Sequence, residues 1–145
     1  MTFDKHRSAG YLANHMARLF AQRLAEAIRP LGLAPAQFMT LIELWRRDGL
    51  TQRELVGLLD IEQATLANTL ARMERDDLIV RRSVAGDARA RTIHVTPKAR
   101  ALEGPATEAA RAVNGHALAG LDPARAEAFL GDMQTVIAAL KEKPE

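Results

Sequence analysis

Apolar residues at helical spacing run through most of this chain, and one stretch near its middle changes to strand-like runs. Within residues 51–75, apolar side chains recur three, four and seven positions apart, which predicts two short helices. Residues 78–83 and 91–96 are β-prone, and Gly86-Asp87 between them is typical of a hairpin tip. Two helices followed by a hairpin indicate a winged helix-turn-helix, so we expect a mainly α fold with a small β-hairpin wing.

The first helix of this pair begins with a capping signal. Thr51 and Glu54 have the spacing of a capping box, in which the threonine hydroxyl accepts from the third backbone N–H and the glutamate reaches back. Leu55, Leu58 and Leu59 then supply one apolar side. A short helix that starts at Thr51 is therefore expected.

The second helix is predicted to have one apolar and one polar side. Leu66, Leu70 and Met73 form the apolar side. The polar side carries four groups suited to DNA bases, namely Thr65, Asn68, Thr69 and Arg72. An ordinary solvated face, with Arg72 and Asp76 as an ion pair four positions apart, explains the same residues and is the commoner case for this pattern taken alone.

The hairpin segment changes that balance because it is basic. From Leu78 to Arg100 the chain has six basic residues and one acidic residue, Asp87. Arginine is the side chain favoured in a narrow, electronegative minor groove. A basic hairpin after a polar-faced helix therefore favours DNA binding over a merely solvated surface.

The same stretch resembles the MarR family (multiple antibiotic resistance regulators). The resemblance is carried by IEQATLANTLARMERDDLIVRR and, most specifically, by Asp87-Ala88-Arg89-Ala90-Arg91 followed by Val95-Thr96-Pro97-Lys98. It extends to GYLANHMARLF and PLGLAPAQFMTL nearer the N-terminus. The chain departs from the family pattern at two places, Ala34 and the pair Ala99-Arg100, and Ala34 removes a side-chain cap typically worth about 1 kcal/mol. Neither departure involves the DNA-facing residues.

The resemblance implies a transcription regulator, expected to be a repressor, that binds a pseudo-palindromic operator in double-stranded DNA as a homodimer. Because helix N-termini and basic side chains hold anions, phosphate contacts are expected at Thr51, Gln52, Arg53 and Gln63. In the wing, Arg89 or Arg91 would enter the minor groove, with Asp87 orienting the guanidinium.

The resemblance also implies a small effector, since the family typically binds aromatic or phenolic acids between its dimer helices and its DNA-binding lobes. Candidate pocket walls on the first two helices are His15, Arg18, Met39 and Trp45, of which Arg18 would meet a carboxylate. The alternative for Trp45, the one tryptophan, is a core residue, and this is the commoner role of a tryptophan at such a position.

Further helices are predicted on both sides of the winged module. One runs from Tyr11 to Pro30, and the next runs from Pro35 to about Asp48-Gly49. After the module, Thr96-Pro97 opens a helix that reaches about Leu118. We expect a kink or a break in that helix at Gly104-Pro105.

Asp122-Pro123 repeats the capping signal and opens a last helix with an apolar stripe. Such a stripe is buried either within its own chain or against a partner chain. The resemblance favours a two-fold homodimer, with interface residues Leu118, Leu121, Phe129, Leu130, Met133, Ile137 and Leu140. We expect one domain, residues 1–145, in which residues 34–96 form the DNA-binding lobe and residues 8–30 and 97–141 form the dimerisation lobe.

Charge and composition narrow the function further. The net charge is +2, and successive thirds of the chain, residues 1–50, 51–100 and 101–145, carry +3, +2 and −3. Positive charge is therefore local to the part that includes the hairpin. The chain has no cysteine, which excludes disulfides, thiolate metal sites and thiol-based redox sensing. No long apolar run or signal sequence is evident, so we expect a cytoplasmic protein.

Two other classes of function compete with a DNA-binding regulator. An enzyme lacks support, because the four histidines are scattered, no catalytic motif occurs, and Ser8 and Ser83 are the two serines. We therefore expect no catalytic residue, no cofactor and no metal. A winged helix that binds another protein is the alternative, although the polar recognition face does not favour it. Salt dependence separates the two, because counterions compete with phosphate binding.

Overall fold

The computed structural model describes residues 1–85 and 87–144, with side chains for all of these except residues 87–90. Within them lie six α-helices and three strands, α1 (Ala9–Ile28), α2 (Pro35–Arg46), β1 (Leu50–Thr51), α3 (Gln52–Leu59), α4 (Gln63–Arg75), β2 (Ile79–Val84), β3 (Asp87–Val95), α5 (Pro97–Ala117) and α6 (Pro123–Lys141). Short 3-10 turns occupy Lys5–Arg7 and Arg29–Leu31. The predicted mainly α fold with a hairpin wing is confirmed.

The chain divides into two compact units, Met1–Ala110 and Arg111–Glu145. The first contains α1 to α4, the sheet and the start of α5. The second contains the end of α5 and all of α6. The division into a DNA-binding lobe and a dimerisation lobe stays a prediction.

Helix α2 keeps half of a capping box at its N-terminus although Ala34 has no side-chain oxygen. The Ala34 N–H donates to Gln37 Oε1 at 3.1 Å. Gln37, the third residue of the helix, thus accepts the backbone N–H of the N-cap residue, as in a capping box. Gln37 is itself buried, and its amide Nε2 donates to Asp76 Oδ2 at 2.9 Å.

The sheet has three antiparallel strands in the order β1-β3-β2. Ile93 of β3 lies opposite Leu50 of β1 and Arg81 of β2, so one buried position receives a neighbour from each side. Strand β1 was not predicted, because two residues are too few to show an alternating pattern. The hairpin tip predicted at Gly86 lies outside the described residues.

One apolar core joins α2, α3, α4 and the sheet. It contains fully buried leucines from each of the three helices, namely Leu41, Leu44, Leu55, Leu66 and Leu70. Ile28 at the end of α1 and Ala99 at the start of α5 also belong to it. Burying one such aliphatic side chain contributes roughly 1.5–3 kcal/mol, so this core fixes the orientation of α4.

Helix α5 begins as predicted but is not broken at Gly104-Pro105. Its N-cap is Thr96, whose Oγ1 accepts the Ala99 N–H at 3.1 Å. The helix continues to Ala117 with Pro105 inside it, so a break at this point was wrong, whereas a kink there stays a prediction. A proline costs the helix one N–H and one hydrogen bond, and the burial of Ala106 directly after it offsets part of this cost. The Thr107 hydroxyl also donates to the Glu103 carbonyl at 2.7 Å.

Helix α6 starts where the sequence predicts. Asp122 is its N-cap, and its Oδ1 accepts the Arg125 N–H at 2.8 Å. No residue of α6 is buried in the single chain. Its apolar stripe is therefore left largely in solvent.

Two further observations concern membrane spans and metal sites. None of the helices in the described part of the chain has both the length and the apolar character that crossing a membrane requires. The described residues also contain no group of three or more His, Asp or Glu side chains placed to hold a metal ion.

Gly49 provides a test of how α2 is joined to the sheet. It has φ of +80°, and a Cβ atom there would lie 3.0 Å from His94 Cε1. We expect Gly49→Ala to lower the free energy of unfolding by about 1–3 kcal/mol, because the side chain strains the backbone and displaces His94. Urea unfolding followed by circular dichroism measures this change.

Gly57→Ala is the matched control. Gly57 lies inside α3, where an added Cβ meets nothing within 4 Å. That substitution should raise the free energy of unfolding by roughly 0.5–1 kcal/mol, because alanine favours the helix. An unchanged or more stable Gly49→Ala protein would show that neither the positive φ at Gly49 nor the contact with His94 restricts this position.

Candidate nucleic-acid interface

Helix α4 presents two different sides. Leu66, Leu70 and Met73 are fully buried against the core. Thr65, Asn68 and Arg72 lie on the other side and are exposed. The structure thus brings these three predicted base-contacting residues together on one solvent-facing surface.

Thr69, the fourth predicted base contact, is placed differently. Its side chain is only 9% exposed, and its hydroxyl donates to the Thr65 carbonyl at 3.1 Å. A hydroxyl that bonds the preceding helical turn is a common arrangement for threonine inside a helix. Thr69 therefore lies at the inner edge of the polar face, with little surface of its own.

The N-terminus of α3 carries the predicted capping box. The Glu54 N–H donates to Thr51 Oγ1 at 3.1 Å, and the Thr51 N–H donates to Glu54 Oε1 at 3.1 Å. Because the box satisfies the third N–H of the helix, the N–H groups of Gln52 and Arg53 remain for an outside acceptor. Arg53 is exposed and Gln52 is half-buried.

The capping box also changes the acidity of Glu54. The hydrogen bond from the Thr51 backbone lowers the pKa of the Glu54 carboxyl most, followed by the bond from the Thr51 hydroxyl, and Arg47 lowers it further. Arg47 Nη2 lies 3.8 Å from Glu54 Oε2. The ionised carboxylate therefore holds this helix start together.

The first turn of α4 is exposed. Gln63, another predicted phosphate contact, is the first residue of the helix, and Glu62 before it makes no side-chain cap. The N–H groups of this turn are therefore left for another acceptor.

The base of the wing is tied to the end of α2 by Asp48, which sequence reasoning missed. Asp48 Oδ1 accepts the Val95 N–H at 2.9 Å, and Oδ2 lies 3.4 Å from His94 Nδ1. His94 Nε2 lies 2.8 Å from Thr92 Oγ1. An aspartate that follows a helix can serve many purposes. No local sequence pattern therefore indicated that Asp48 would bond the wing.

The wing residues are described only in part. Arg91 is exposed and lies opposite Ser83 in the hairpin. The side chains of Asp87 and Arg89 lie outside the described residues. Their predicted ion pair and minor-groove role therefore remain predictions.

Arg81 is a second residue that the sequence analysis did not single out. Its Nε donates to Glu74 Oε1 on α4 at 2.8 Å, and its Nη1 donates to Gln52 Oε1 on α3 at 3.4 Å. One side chain on β2 thus contacts both helices of the helix-turn-helix. Only the basic character of the hairpin was visible in the sequence.

The four candidate pocket residues do not share a described cavity. Trp45 packs edge-on against Phe38, with ring centroids 6.0 Å apart, and its Nε1–H donates to the Ala99 carbonyl at 3.2 Å. It is a core residue, as the alternative interpretation had it. His15, Arg18 and Met39 are exposed.

A described open groove of about 460 Å³ lies elsewhere, between the C-terminal turn of α2 and α3. Arg46 and Leu58 are among its lining residues. None of the four candidate pocket residues lines it.

The predicted dimer residues are all solvent-accessible in the single chain. Leu118, Leu121, Phe129 and Met133 are half-buried. Three further residues of the stripe are 41%, 53% and 79% exposed, namely Leu130, Ile137 and Leu140. Their contacts with a partner chain stay a prediction.

A two-sided helix, a capped helix start beside it and an adjacent hairpin define a winged helix-turn-helix protein. The sequence model of the MarR family matches residues 31–90, which include α2, α3, α4 and most of the hairpin. The HTH-type transcriptional regulator YwoH of Bacillus subtilis is 31% identical over 86 residues, which are 59% of this chain. The match spans 62% of the length of YwoH.

Solved structures agree over almost the whole chain. The transcriptional regulator PA3341 is 32% identical with a TM-score of 0.79, and the alignment covers 94% of this chain and 100% of that one. This chain belongs to the MarR family of transcriptional regulators. Because that is a family of regulators and not of enzymes, the expectation that the chain is not an enzyme is confirmed.

Two more distant structures show the same fold. A MarR family regulator from Listeria monocytogenes, complexed with a 26-mer DNA, is 20% identical with a TM-score of 0.84, covering 92% of this chain and 89% of that chain. CouR from Rhodococcus jostii RHA1, bound to p-coumaroyl-CoA, is 18% identical with a TM-score of 0.82, covering 99% of this chain and 100% of that chain.

The lowered pKa of Glu54 predicts a pH dependence of stability. A carboxyl whose pKa is lower in the folded state stabilises the fold above its unfolded pKa, about 4.3 for glutamate, and loses this contribution as pH falls through the folded value. We expect Glu54→Gln to be less stable than wild type at neutral pH. The difference should shrink below about pH 4.3.

Urea unfolding of both proteins at a series of pH values measures that difference. A gap between wild type and Glu54→Gln that stays constant from neutral to acidic pH would show that the carboxylate charge does not hold the cap.

Proposed function

We propose that this protein is a sequence-specific, DNA-binding transcription regulator that inserts α4 into the major groove. One observation carries the proposal: the buried inner side of α4 forces Thr65, Asn68 and Arg72 outward together. B-DNA's major groove admits an α-helix, and base edges there present a distinct pattern of donors and acceptors for each base pair.

The exposed groups of α4 match that pattern. Arg72 is suited to guanine through two parallel hydrogen bonds, and Asn68 is suited to adenine. Thr65 offers a hydroxyl to either class of base. Thr69 contributes at the inner edge of the contact, because its hydroxyl is engaged within the helix.

Phosphate contacts are proposed at the two helix starts beside the groove. The backbone N–H groups of Gln52 and Arg53 and the Arg53 side chain face a phosphate at the start of α3, where the helix dipole also favours an anion. Gln63 plays the same part at the start of α4. Thr51 acts mainly through the cap that leaves these N–H groups correctly placed.

The wing is proposed to reach the minor groove beside the helix. Arg91 is exposed on β3, and the family resemblance assigns Arg89 or Arg91 to this role with Asp87 as its partner. The Listeria regulator has the same fold and was solved in complex with a 26-mer DNA, which supports DNA binding by this fold.

A homodimer is part of the proposal, because one recognition helix reads few base pairs. Each mismatched pair costs about 1–3 kcal/mol, so two half-sites are needed for useful discrimination. A two-fold dimer presents two helices about one DNA turn apart. The apolar stripe of α6 supplies a surface that association would bury.

An aromatic acid or its thioester is proposed as the effector, and repression relieved by that effector as the mode of control. The support is the family resemblance together with CouR, which has this fold and was solved with p-coumaroyl-CoA bound. An effector acts by preferring the dimer geometry that does not match DNA. Titration of aromatic acids and their CoA thioesters into the protein–DNA complex tests this.

A cytoplasmic location completes the proposal, since the DNA lies there.

Replacement of Arg72 tests base recognition. In Arg72→Ala, affinity for the DNA upstream of the protein's own gene should fall by about 1–3 kcal/mol, while affinity for a shuffled duplex of equal length should change much less. The reason is that a bidentate contact to guanine is lost only at the specific site. Fluorescence anisotropy at two salt concentrations measures both affinities.

Arg75→Ala is the matched control for that experiment. Arg75 lies on the same helix and pairs with Asp76, with Arg75 Nε 3.2 Å from Asp76 Oδ1. Its removal should lower the affinity of the protein for both duplexes to a similar, small extent. Equal losses on both duplexes for Arg72→Ala would refute base reading. Equal wild-type binding to both duplexes that the higher salt concentration abolishes would show generic phosphate affinity alone, and would favour a different operator or a protein partner.

Replacement of Ile137 tests the dimer. Ile137→Asp places a charge in the apolar stripe, so the protein should sediment as a monomer at concentrations where wild type is a dimer. Affinity for the upstream DNA should fall by at least about tenfold, because the two half-sites are no longer linked.

Thr135→Asp is the control, since Thr135 lies two positions earlier and so on the opposite side of α6. It should stay dimeric. A wild type that sediments as a monomer, or an Ile137→Asp variant that remains dimeric, would contradict the assignment of the interface.

A further inference from the structure

Arg81 occupies a position between the two helices of the helix-turn-helix. Its side chain is 21% exposed, and it lies on β2, where Arg81 is the partner of Ile93 in the sheet. Its guanidinium donates to Glu74 near the end of α4 and to Gln52 at the start of α3. The two helices that contact DNA in the proposed complex therefore meet the hairpin at one side chain.

The chemistry of the guanidinium fixes which way the Gln52 amide points. A guanidinium has five N–H donors and no acceptor, so the Gln52 atom that faces it is the carbonyl oxygen. The NH₂ group of the same amide is planar with that oxygen and points away from Arg81. The NH₂ group is thereby left as a donor for another acceptor, next to the N–H groups at the start of α3.

The contact with Glu74 neutralises the charge of Arg81 and anchors α4. At 2.8 Å this is a short, charge-assisted hydrogen bond, and such bonds are about twice as strong as neutral ones. A guanidinium whose Nε is committed to a carboxylate is suited to hold geometry. Its neighbour Arg82 is exposed on the same strand, and no side-chain bond of Arg82 occurs among the described contacts.

We propose that Arg81 is a positioning residue for DNA binding, which sets α4 against the start of α3 and turns the Gln52 amide outward as a phosphate donor. The proposal rests on the proposed DNA-binding function. It assigns Arg81 no direct contact with a base. Charge alone is insufficient for this role, because a lysine has no planar fork to reach both partners.

The test compares Arg81→Lys, Gln52→Ala and the double variant with wild type, using the upstream and shuffled duplexes well below the unfolding temperature. Arg81→Lys should weaken binding to the upstream DNA about tenfold and to the shuffled duplex about two- to threefold. Gln52→Ala should weaken both about threefold, and adding it to Arg81→Lys should cost little more, because the amide has already lost its orientation. Arg82→Lys, the matched control, should bind both duplexes as wild type does.

A DNA-independent measurement separates this proposal from the proposed function. In ¹⁵N NMR of the free protein, the Arg81 Nε–H should exchange slowly and shift in Glu74→Gln, and the Gln52 side-chain amide signals should shift in Arg81→Lys. A wild type without preference for the upstream DNA would overturn the proposed function, and the NMR result would still decide the role of Arg81. Unchanged NMR signals in these variants, Arg81→Lys binding equal to wild type, or additive losses in the double variant would each overturn the positioning role.

Discussion

The burial of the inner side of α4 is the constraint on which the interface depends. Leu66, Leu70 and Met73 have no exposed surface, and together they contribute several kcal/mol toward holding the helix in one rotation about its axis. Because residues on a helix keep fixed angles to one another, fixing the inner side also fixes Thr65, Asn68 and Arg72 on the outer side. The same core therefore determines both stability and which side chains are available to DNA.

Polar contacts at the C-terminal end of α4 also hold this helix in place. At its C-terminal end, Asp76 accepts from the buried Gln37 at 2.9 Å, and the Asp76 carbonyl accepts from Lys98 Nζ at 2.8 Å. The hydrogen bond from Gln37 is the main cause of the lowered pKa of Asp76. Gln37 belongs to α2 and Lys98 to α5. A movement of either helix would therefore change the hydrogen bonds at the end of α4.

The apolar stripe of α6 is exposed, unlike the apolar side of α4. A single chain leaves Leu140 and its neighbours in water, an unfavourable arrangement that association with a second chain would relieve. The winged module has its own buried core, whereas no residue of α6 is buried. The buried core and the exposed apolar stripe therefore belong to separate parts of the sequence.

The sequence by itself determined the helices, the hairpin, the capping box at Thr51 and Glu54, and the separation of α4 into an apolar and a polar side. These features are local, because hydrophobic periodicity and capping act over a few neighbouring residues. The unbroken course of α5 past Pro105, the two-residue strand β1 and the burial of Thr69 were decided by packing against distant segments. Arg81 and Asp48 gained their roles the same way, since Gln52 lies 29 positions from Arg81 and Val95 lies 47 positions from Asp48. Only the tertiary structure brings such pairs within hydrogen-bonding distance, because no local pattern records which distant side chain a polar group will meet.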